Sequence, residues 1–130
     1  MGSRSIDGPL APDHLRIAVS HPSRDIAVIT PDGEIDMATA PLLVERVTPE
    51  LYRRAHVVID LTGVAFLASR GVQAIVDLRN AAAEHGTELH LVGRLQPIVA
   101  RILSIAGLSC VDHQAEDVVA RLTDDGGRHT

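Results

Sequence analysis

A β-branched strand, an amphipathic helix and a second strand follow one another in the middle of the sequence. The run from His56 to Leu61 contains Val57-Val58-Ile59, which is typical of a central strand covered on both faces. Ser69 to His85 then has apolar residues at helical spacing, and Gly86 follows where such a helix would end. Glu88 to Gly93 returns to a strand pattern. This order predicts two parallel strands joined by a right-handed crossover.

The segments on either side add further strands and helices. Leu15 to Ser20 alternates apolar and polar residues, which predicts a half-buried strand. Asp25 to Thr30 is predicted to be its antiparallel partner, and a bend at Pro31-Asp32-Gly33 leads to a further short strand segment. Three more helices are predicted. The first begins at Thr39 as its cap, has Pro41 in its first turn and ends at Pro49. The other two run from Leu95 to Gly107 and from Gln114 to Leu122. The sequence therefore predicts one α/β domain with a mixed sheet of four to five strands packed against about four helices.

Length and composition limit the classes of function. The 130 residues suffice for one core, which we place at residues 13–122, with flexible ends at 1–12 and 123–130. Only Tyr52 and Phe66 are aromatic, and 17 acidic against 12 basic residues give a net charge of −5, which disfavours nucleic acid and anionic membranes as partners. Because no apolar run reaches the roughly 18 residues that span a bilayer and no signal-peptide pattern is present, we expect a cytoplasmic protein.

The sequence gives little support for catalysis or for metal binding. Its seven histidines never fall four residues from another ligand on one helix, and a lone Cys110 excludes an intramolecular disulfide and a zinc site built of cysteines. Cys110 is expected to be a small buried side chain, with a disulfide between chains as the alternative. Ser69 lies at a strand-to-helix turn, but no general base can be identified near it, so a serine hydrolase is a remote alternative. We expect no catalytic activity, no cofactor and no metal ion.

Three stretches in the same order resemble the STAS domain family, in particular the bacterial anti-sigma factor antagonists. The central family pattern is an apolar-Asp-Leu run, then Phe, an apolar residue and Asp-Ser-Ser/Thr-Gly. This pattern is matched by Val57-Val58-Ile59-Asp60-Leu61 and Phe66-Leu67-Ala68-Ser69-Arg70-Gly71. The second stretch is Gly33-Glu34-Ile35-Asp36 with Ala40-Pro41-Leu42. The third stretch runs from Gly86-Thr87-Glu88-Leu89 through Pro97-Ile98-Val99 to Gly107-Leu108. The likeness covers residues 14–122 and implies a single STAS-like domain.

The resemblance implies a regulator that acts by binding another protein. In the family, the serine that matches Ser69 is phosphorylated by an anti-sigma factor that is also an ATP-dependent serine kinase. The unphosphorylated antagonist binds this kinase, which supplies the ATP site, and frees a sigma factor. The implied partner-binding residues are Asp36, Met37 and Ala38, then Ala68, Ser69, Arg70, Gly71 and Val72, and the strand end Gly93 and Arg94. We expect a monomer or a weak dimer.

Two residues at the implied switch depart from the family pattern. Ala68 stands in place of an acidic residue, and Arg70 replaces the second hydroxyl residue, which puts a cation beside the position of a phosphate. Ser69 has two interpretations, a phosphoacceptor or a helix N-cap that needs no kinase. Asp36 is either a partner-facing carboxylate or one that forms the turn into the first helix. The alternative function is a non-phosphorylated STAS scaffold or a ligand-sensing module.

Overall fold

The computed structural model describes residues 14–128, with side chains as far as Asp124. The elements in chain order are β1 (Leu15–Ser23), β2 (Ile26–Ile35), α1 (Ala40–Arg53), β3 (His56–Asp60), β4 (Val64–Leu67), α2 (Ser69–His85), β5 (Glu88–Val92), α3 (Pro97–Ile105) and α4 (Ala115–Arg128). No helix within this range is both long and apolar enough to cross a membrane. The N-terminal segment that the sequence predicts to be flexible, residues 1–12, lies outside the described residues.

The strands form one mixed sheet in the order β1-β2-β3-β5, with β4 also paired to β2. β1 and β2 are antiparallel, as the opening pattern predicts. β2 pairs in parallel with β3 over its first half and with β4 over its second half, and β3 pairs in parallel with β5. The described residues form five strands and four helices, which confirms the predicted α/β class. Because β2 to β5 point the same way, their carboxyl ends share one edge of the sheet, which we call the carboxyl edge.

The core lies on both faces of the sheet. Val57 and Ile59 belong to the main core, with α1, α2 and α3, whereas Val58 packs with Val118 of α4 on the opposite face. All three β3 residues are completely buried. Alternation of side chains along the strand explains how three neighbouring apolar residues supply two faces. The prediction of a central, doubly covered strand is therefore confirmed.

α1 does not end at Pro49 as predicted but continues to Arg53. A proline inside a helix removes one amide donor, yet packing outweighs this loss here. Leu51 is 1% exposed in the main core, and its carbonyl accepts a hydrogen bond of 2.7 Å from the hydroxyl of Thr87. In the same turn, the Nε of Arg54 lies 2.9 Å from the Oε1 of Glu50. Tertiary packing of Leu51 and the local Arg54–Glu50 ion pair therefore hold the last turn of α1.

Two strand boundaries also differ from the sequence prediction. β2 runs through Pro31-Asp32-Gly33 without ending, because Pro31 lies where β2 passes from its pairing with β3 to its pairing with β4, and a missing amide hydrogen is tolerated there. The register of β2 against β4 shifts between Gly33 and Glu34, and Gly33 has a φ of 129°, which is open to glycine alone. β4 was not predicted, since its four residues are too short to show an alternation.

α4 extends beyond its predicted end at Leu122 to Arg128. The hydroxyl of Thr123 donates to the carbonyl of Val119 at 2.8 Å within the helix. The helix thus occupies most of the segment predicted as a flexible tail.

Candidate functional site at the carboxyl edge

The ends of β2 and β4 bring two of the predicted site segments together. Ile35 and Leu67 are register partners in the parallel pair, and the amide of Ala68 donates to the carbonyl of Ile35 at 2.9 Å. Asp36 and Ser69 follow these residues along the chain. The Asp36–Ala38 loop therefore lies beside the first turn of α2, although more than thirty positions separate them in the sequence.

The Asp36 carboxylate holds the turn that leads into α1. Its Oδ1 accepts hydrogen bonds from the amides of Ala38 and Thr39 at 2.9 and 3.0 Å. These hydrogen bonds, of which that from the Thr39 amide has the largest effect, lower the pKa of Asp36, so the carboxylate stays ionised to a lower pH than an unbonded aspartate. Asp36 therefore forms the turn, and a partner would contact a carboxylate that already accepts hydrogen bonds from its own loop.

Thr39 occupies the N-cap position of α1, but its side chain does not cap the helix. The hydroxyl is completely buried, donates to the carbonyl of Glu34 at 2.8 Å and accepts the amide hydrogen of Asp36 at 2.9 Å. Thr39 is therefore the N-cap residue that the sequence predicts, and its carbonyl accepts the amide hydrogens of Leu42 and Leu43, but its side chain ties the loop back to β2 instead of capping the helix.

Ser69 is the first helical residue of α2 and is exposed. The N-cap is Ala68, with an extended backbone (φ −85°, ψ 172°), and no side chain in the described part of the chain caps this helix. The interpretation of Ser69 as an N-cap is therefore wrong. The first turn of α2 contains no acidic residue, so its unbonded amides and the positive end of the helix dipole remain uncompensated beside the hydroxyl.

Gly71 sets how closely α2 approaches β2. A Cβ at this buried position would lie 2.5 Å from the carbonyl oxygen of Ile35 and 2.8 Å from the Cδ1 of Leu67. Only a residue without a side chain fits at that separation. The next residue, Val72, is half-buried against the main core. Gly71 and Val72 therefore position the first turn of α2, while Ser69 and Arg70 face solvent.

Gly93 and Arg94 lie further along the carboxyl edge, after β5. Gly93 has a φ of 126°, and a Cβ there would lie 2.6 Å from the Oγ1 of Thr62. Thr62 is in turn held by Asp60, whose Oδ1 accepts from its amide at 3.0 Å and from its hydroxyl at 2.6 Å. The exposed Arg94 has its Nε 3.6 Å from the Oδ1 of Asp112. The contacts of this strand end are thus with the Asp60–Thr62 turn and Asp112.

A groove of about 800 Å³ between α1 and α2 opens beside the Ser69 turn. Met37, which is 67% exposed, and Arg70 line it at the carboxyl edge, and Tyr52, 62% exposed, lines it further along α1. Tyr52 packs edge-on against His85, with ring centroids 4.3 Å apart. We call this feature the α1–α2 groove. The groove has no signal in the sequence, since helical periodicity locates the buried face of each helix but not the gap between two helices.

Comparison with known proteins assigns the family. A family model for the STAS domain matches residues 18–120. No protein with a curated description matches significantly.

Several solved structures share the fold. The unphosphorylated form of SpoIIAA, an anti-sigma factor antagonist, has a TM-score of 0.75 at 16% identity, covering 84% of this chain and 97% of that one. The phosphorylated form of SpoIIAA from Bacillus has a TM-score of 0.70 at 15% identity, covering 82% and 99%.

An anti-sigma factor antagonist from Mycobacterium paratuberculosis has a TM-score of 0.71 at 26% identity, with 85% and 96% covered. The anion transporter SLC26A9 contains a similar unit, with a TM-score of 0.64 at 14% identity; 81% of this chain matches 21% of the transporter chain. The family match spans most of the sequence, and the sheet order and helices agree with it, so the chain belongs to the STAS domain family.

Proposed function

We propose that this STAS domain is a cytoplasmic anti-sigma factor antagonist. It binds an anti-sigma factor that has serine kinase activity, frees a sigma factor for transcription, and is released when Ser69 is phosphorylated. The proposal draws on two relatives that are described as anti-sigma factor antagonists, one of them solved in unphosphorylated and phosphorylated forms. The observation that carries it is the exposed Ser69 hydroxyl at the uncapped start of α2.

The proposed contact surface consists of the Asp36–Ala38 loop and the Ala68–Val72 turn. Met37 is the apolar anchor of this surface, because it is 67% exposed beside the start of α2. Full burial of a methionine side chain contributes about 1.5–3 kcal/mol, enough to make it a principal contact. The α1–α2 groove continues the surface and gives the partner a recess to fill. Gly93 and Arg94, after β5 on the same carboxyl edge, are the remaining residues of the proposed surface.

The start of α2 is suited to carry a phosphate without loss of the fold. Phosphorylation of Ser69 would add a charge of about −1.5 to −2 where uncompensated amides and the helix dipole favour an anion. Arg70 follows directly and offers a guanidinium for a charge-assisted hydrogen bond. Ala68, unlike the acidic residue of the family pattern, adds no repulsion. The phosphorylated domain is therefore expected to remain folded and stable.

Release then results from the cost at the interface. A partner surface that packs against a neutral hydroxyl would have to desolvate a dianion and leave it without a matching cation. A cost of about 2.7 kcal/mol already weakens binding about 100-fold. Arg70 acts in two directions: its pairing with the phosphate partly neutralises the charge and softens the switch, and the same pairing draws Arg70 away from any acidic group of the partner.

A pull-down from a lysate of the source organism tests this function. Wild type and Ser69→Glu serve as baits, and Ser104→Glu, which puts the same charge on an exposed serine of α3, is the matched control. We expect wild type and Ser104→Glu to retain an ATP-binding anti-sigma factor, identified by mass spectrometry, and Ser69→Glu to lose it. Incubation of the retained kinase with ATP should add the mass of one phosphate to wild type but not to Ser69→Ala.

Two outcomes contradict the proposal. If all baits retain the same protein, the domain is a constitutive binder. If none retains an anti-sigma factor, the assignment of the partner is wrong.

The volume of the α1–α2 groove favours a second candidate function, a ligand-sensing module without phosphorylation. At about 800 Å³ the groove falls within the range of small-molecule sites. Ser69 unmodified in protein isolated from its source, together with a small molecule that copurifies and is lost on Tyr52→Ala substitution, would support this alternative over the antagonist.

A further inference from the structure

Three side chains that commonly bind metal ions meet at the edge of the sheet opposite Ser69. His56 is the first residue of β3, and Glu88 and His90 are the first and third residues of β5. The strands pair in parallel with His56 beside Glu88 and Val58 beside His90. Since side chains two residues apart on a strand share a face, all three project from the face that also presents Val58.

The distances among the three ligand atoms fit one ion. The Nδ1 of His56 lies 3.2 Å from the Nε2 of His90 and 3.4 Å from the Oε1 of Glu88, and the last two atoms are 3.7 Å apart. In a tetrahedral zinc site with bonds of about 2.0–2.2 Å, neighbouring ligand atoms are about 3.3–3.5 Å apart. The circle through the three observed atoms has a radius of about 2.0 Å, so an ion about 0.7 Å outside their plane, as in a tetrahedral site, would make bonds of about 2.1 Å, within the range for zinc.

The surroundings of the cluster suit a bound cation. The side chains of His56 and His90 are 24% and 25% exposed, so the sheet holds both rings in place while solvent still reaches them, and Glu88 is 67% exposed. Two imidazoles and one carboxylate select zinc-like transition metals over calcium or magnesium, which prefer oxygen ligands. The net charge of −5 favours the approach of any cation.

We propose that His56, Glu88 and His90 bind one Zn²⁺ ion, with water in the fourth position. The ion would join β3 to β5 at the amino ends of these strands and leave the carboxyl edge free for a protein partner. The proposed site departs from the sequence expectation of no bound metal. Histidines 34 positions apart escape a search for ligands spaced along one helix, whereas the register of β3 and β5 makes them neighbours.

Calorimetric titration of the tag-free, chelator-treated protein with zinc chloride tests the site. We expect one ion per chain and a melting temperature that rises with Zn²⁺ concentration. His56→Ala and His90→Ala should each weaken binding by more than about tenfold, because even the loss of a group that only orients a ligand costs about 10- to 100-fold. His113→Ala is the control, since this exposed histidine follows Val111, which pairs with Val92 at the carboxyl end of β5, whereas the cluster lies at the amino ends of β3 and β5.

Substitution of Co²⁺ gives a readout that does not depend on stability. We expect the intense visible absorption of a tetrahedral site in wild type and His113→Ala, and its loss in His90→Ala. Glu88→Gln, at an exposed strand start, keeps the fold intact and should weaken binding without abolishing it. The proposal is overturned if wild type binds no Zn²⁺, or if the cluster variants bind as tightly as His113→Ala.

Discussion

The close approach of α2 to β2 at Gly71 gives the sharpest test of how the site is built. Replacement by alanine would place a methyl group 2.5 Å from a backbone oxygen of Ile35 and 2.8 Å from the side chains of Ile35 and Leu67. The backbone oxygen cannot rotate away, so the first turn of α2 must move. Such overpacking costs about 1–3 kcal/mol.

An opposing effect reduces this cost. Alanine is favoured over glycine inside a helix by about 0.5–1 kcal/mol. With the contact to the Ile35 backbone oxygen taken near the upper end of the overpacking range, we expect Gly71→Ala to lower the free energy of unfolding by about 2 kcal/mol. Asn80→Ala, at an exposed position of the same helix, introduces alanine where no clash is expected and should be neutral or slightly stabilising.

Urea denaturation followed by circular dichroism gives the free energy of unfolding of both variants. The values can be compared if the dependence of this free energy on urea concentration is the same as in wild type. The displaced turn also moves Ser69, so Gly71→Ala should bind the anti-sigma factor more weakly than wild type. If Gly71→Ala is as stable as wild type, α2 shifts without cost, and the conclusion that Gly71 sets the position of Ser69 is refuted.

Three further predictions concern the carboxyl edge. Asp36→Ala should lose about 1 kcal/mol of stability, measured by urea denaturation, because the amides of Ala38 and Thr39 lose their acceptor. The pKa of Asp36 is below its ordinary value of 3.8, so the ionised carboxylate stabilises the fold above that pH, and this stabilisation is lost as the pH falls through the lowered pKa. Asp36→Asn should lack this part of the loss of stability in acid. Equal dependence of unfolding free energy on pH in the variant and wild type would contradict the prediction. Burial raises the pKa of Cys110 to about 11, so its rate of alkylation by iodoacetamide should still increase between pH 9 and about 11; a plateau near pH 9 would refute the burial effect.

The parts of the fold that the sequence predicts best have a strong periodic pattern and a clear terminator. The helix predicted from Ser69 to His85 has these bounds in the structure, and Gly86 ends it in the left-handed conformation with a φ of 74°. Pro49 and Pro31 show where local rules fail, because packing of the turn after Pro49 and the change of pairing partner at Pro31 depend on residues distant in the sequence.

The family resemblance implies that Asp36 and Ser69 share one partner-facing edge, but the residues alone do not show how. Their proximity follows from the pairing of Ile35 with Leu67, on a strand too short to predict. The same limit applies to His56 and His90, which become neighbours through the register of two parallel strands. That the Ser69 surface binds a partner stays a prediction.

The most direct measurement is the affinity of the purified anti-sigma factor for the domain in two forms, unphosphorylated and phosphorylated at Ser69. Titration calorimetry gives the ratio of the dissociation constants of the two forms, and the Ser104→Glu variant is the control for added charge. A phosphoregulated antagonist predicts that phosphorylation weakens binding by at least about 100-fold, while Ser104→Glu binds as wild type does. Equal affinities of the two forms would contradict the switch and leave Ser69 as an ordinary residue of the first turn of α2.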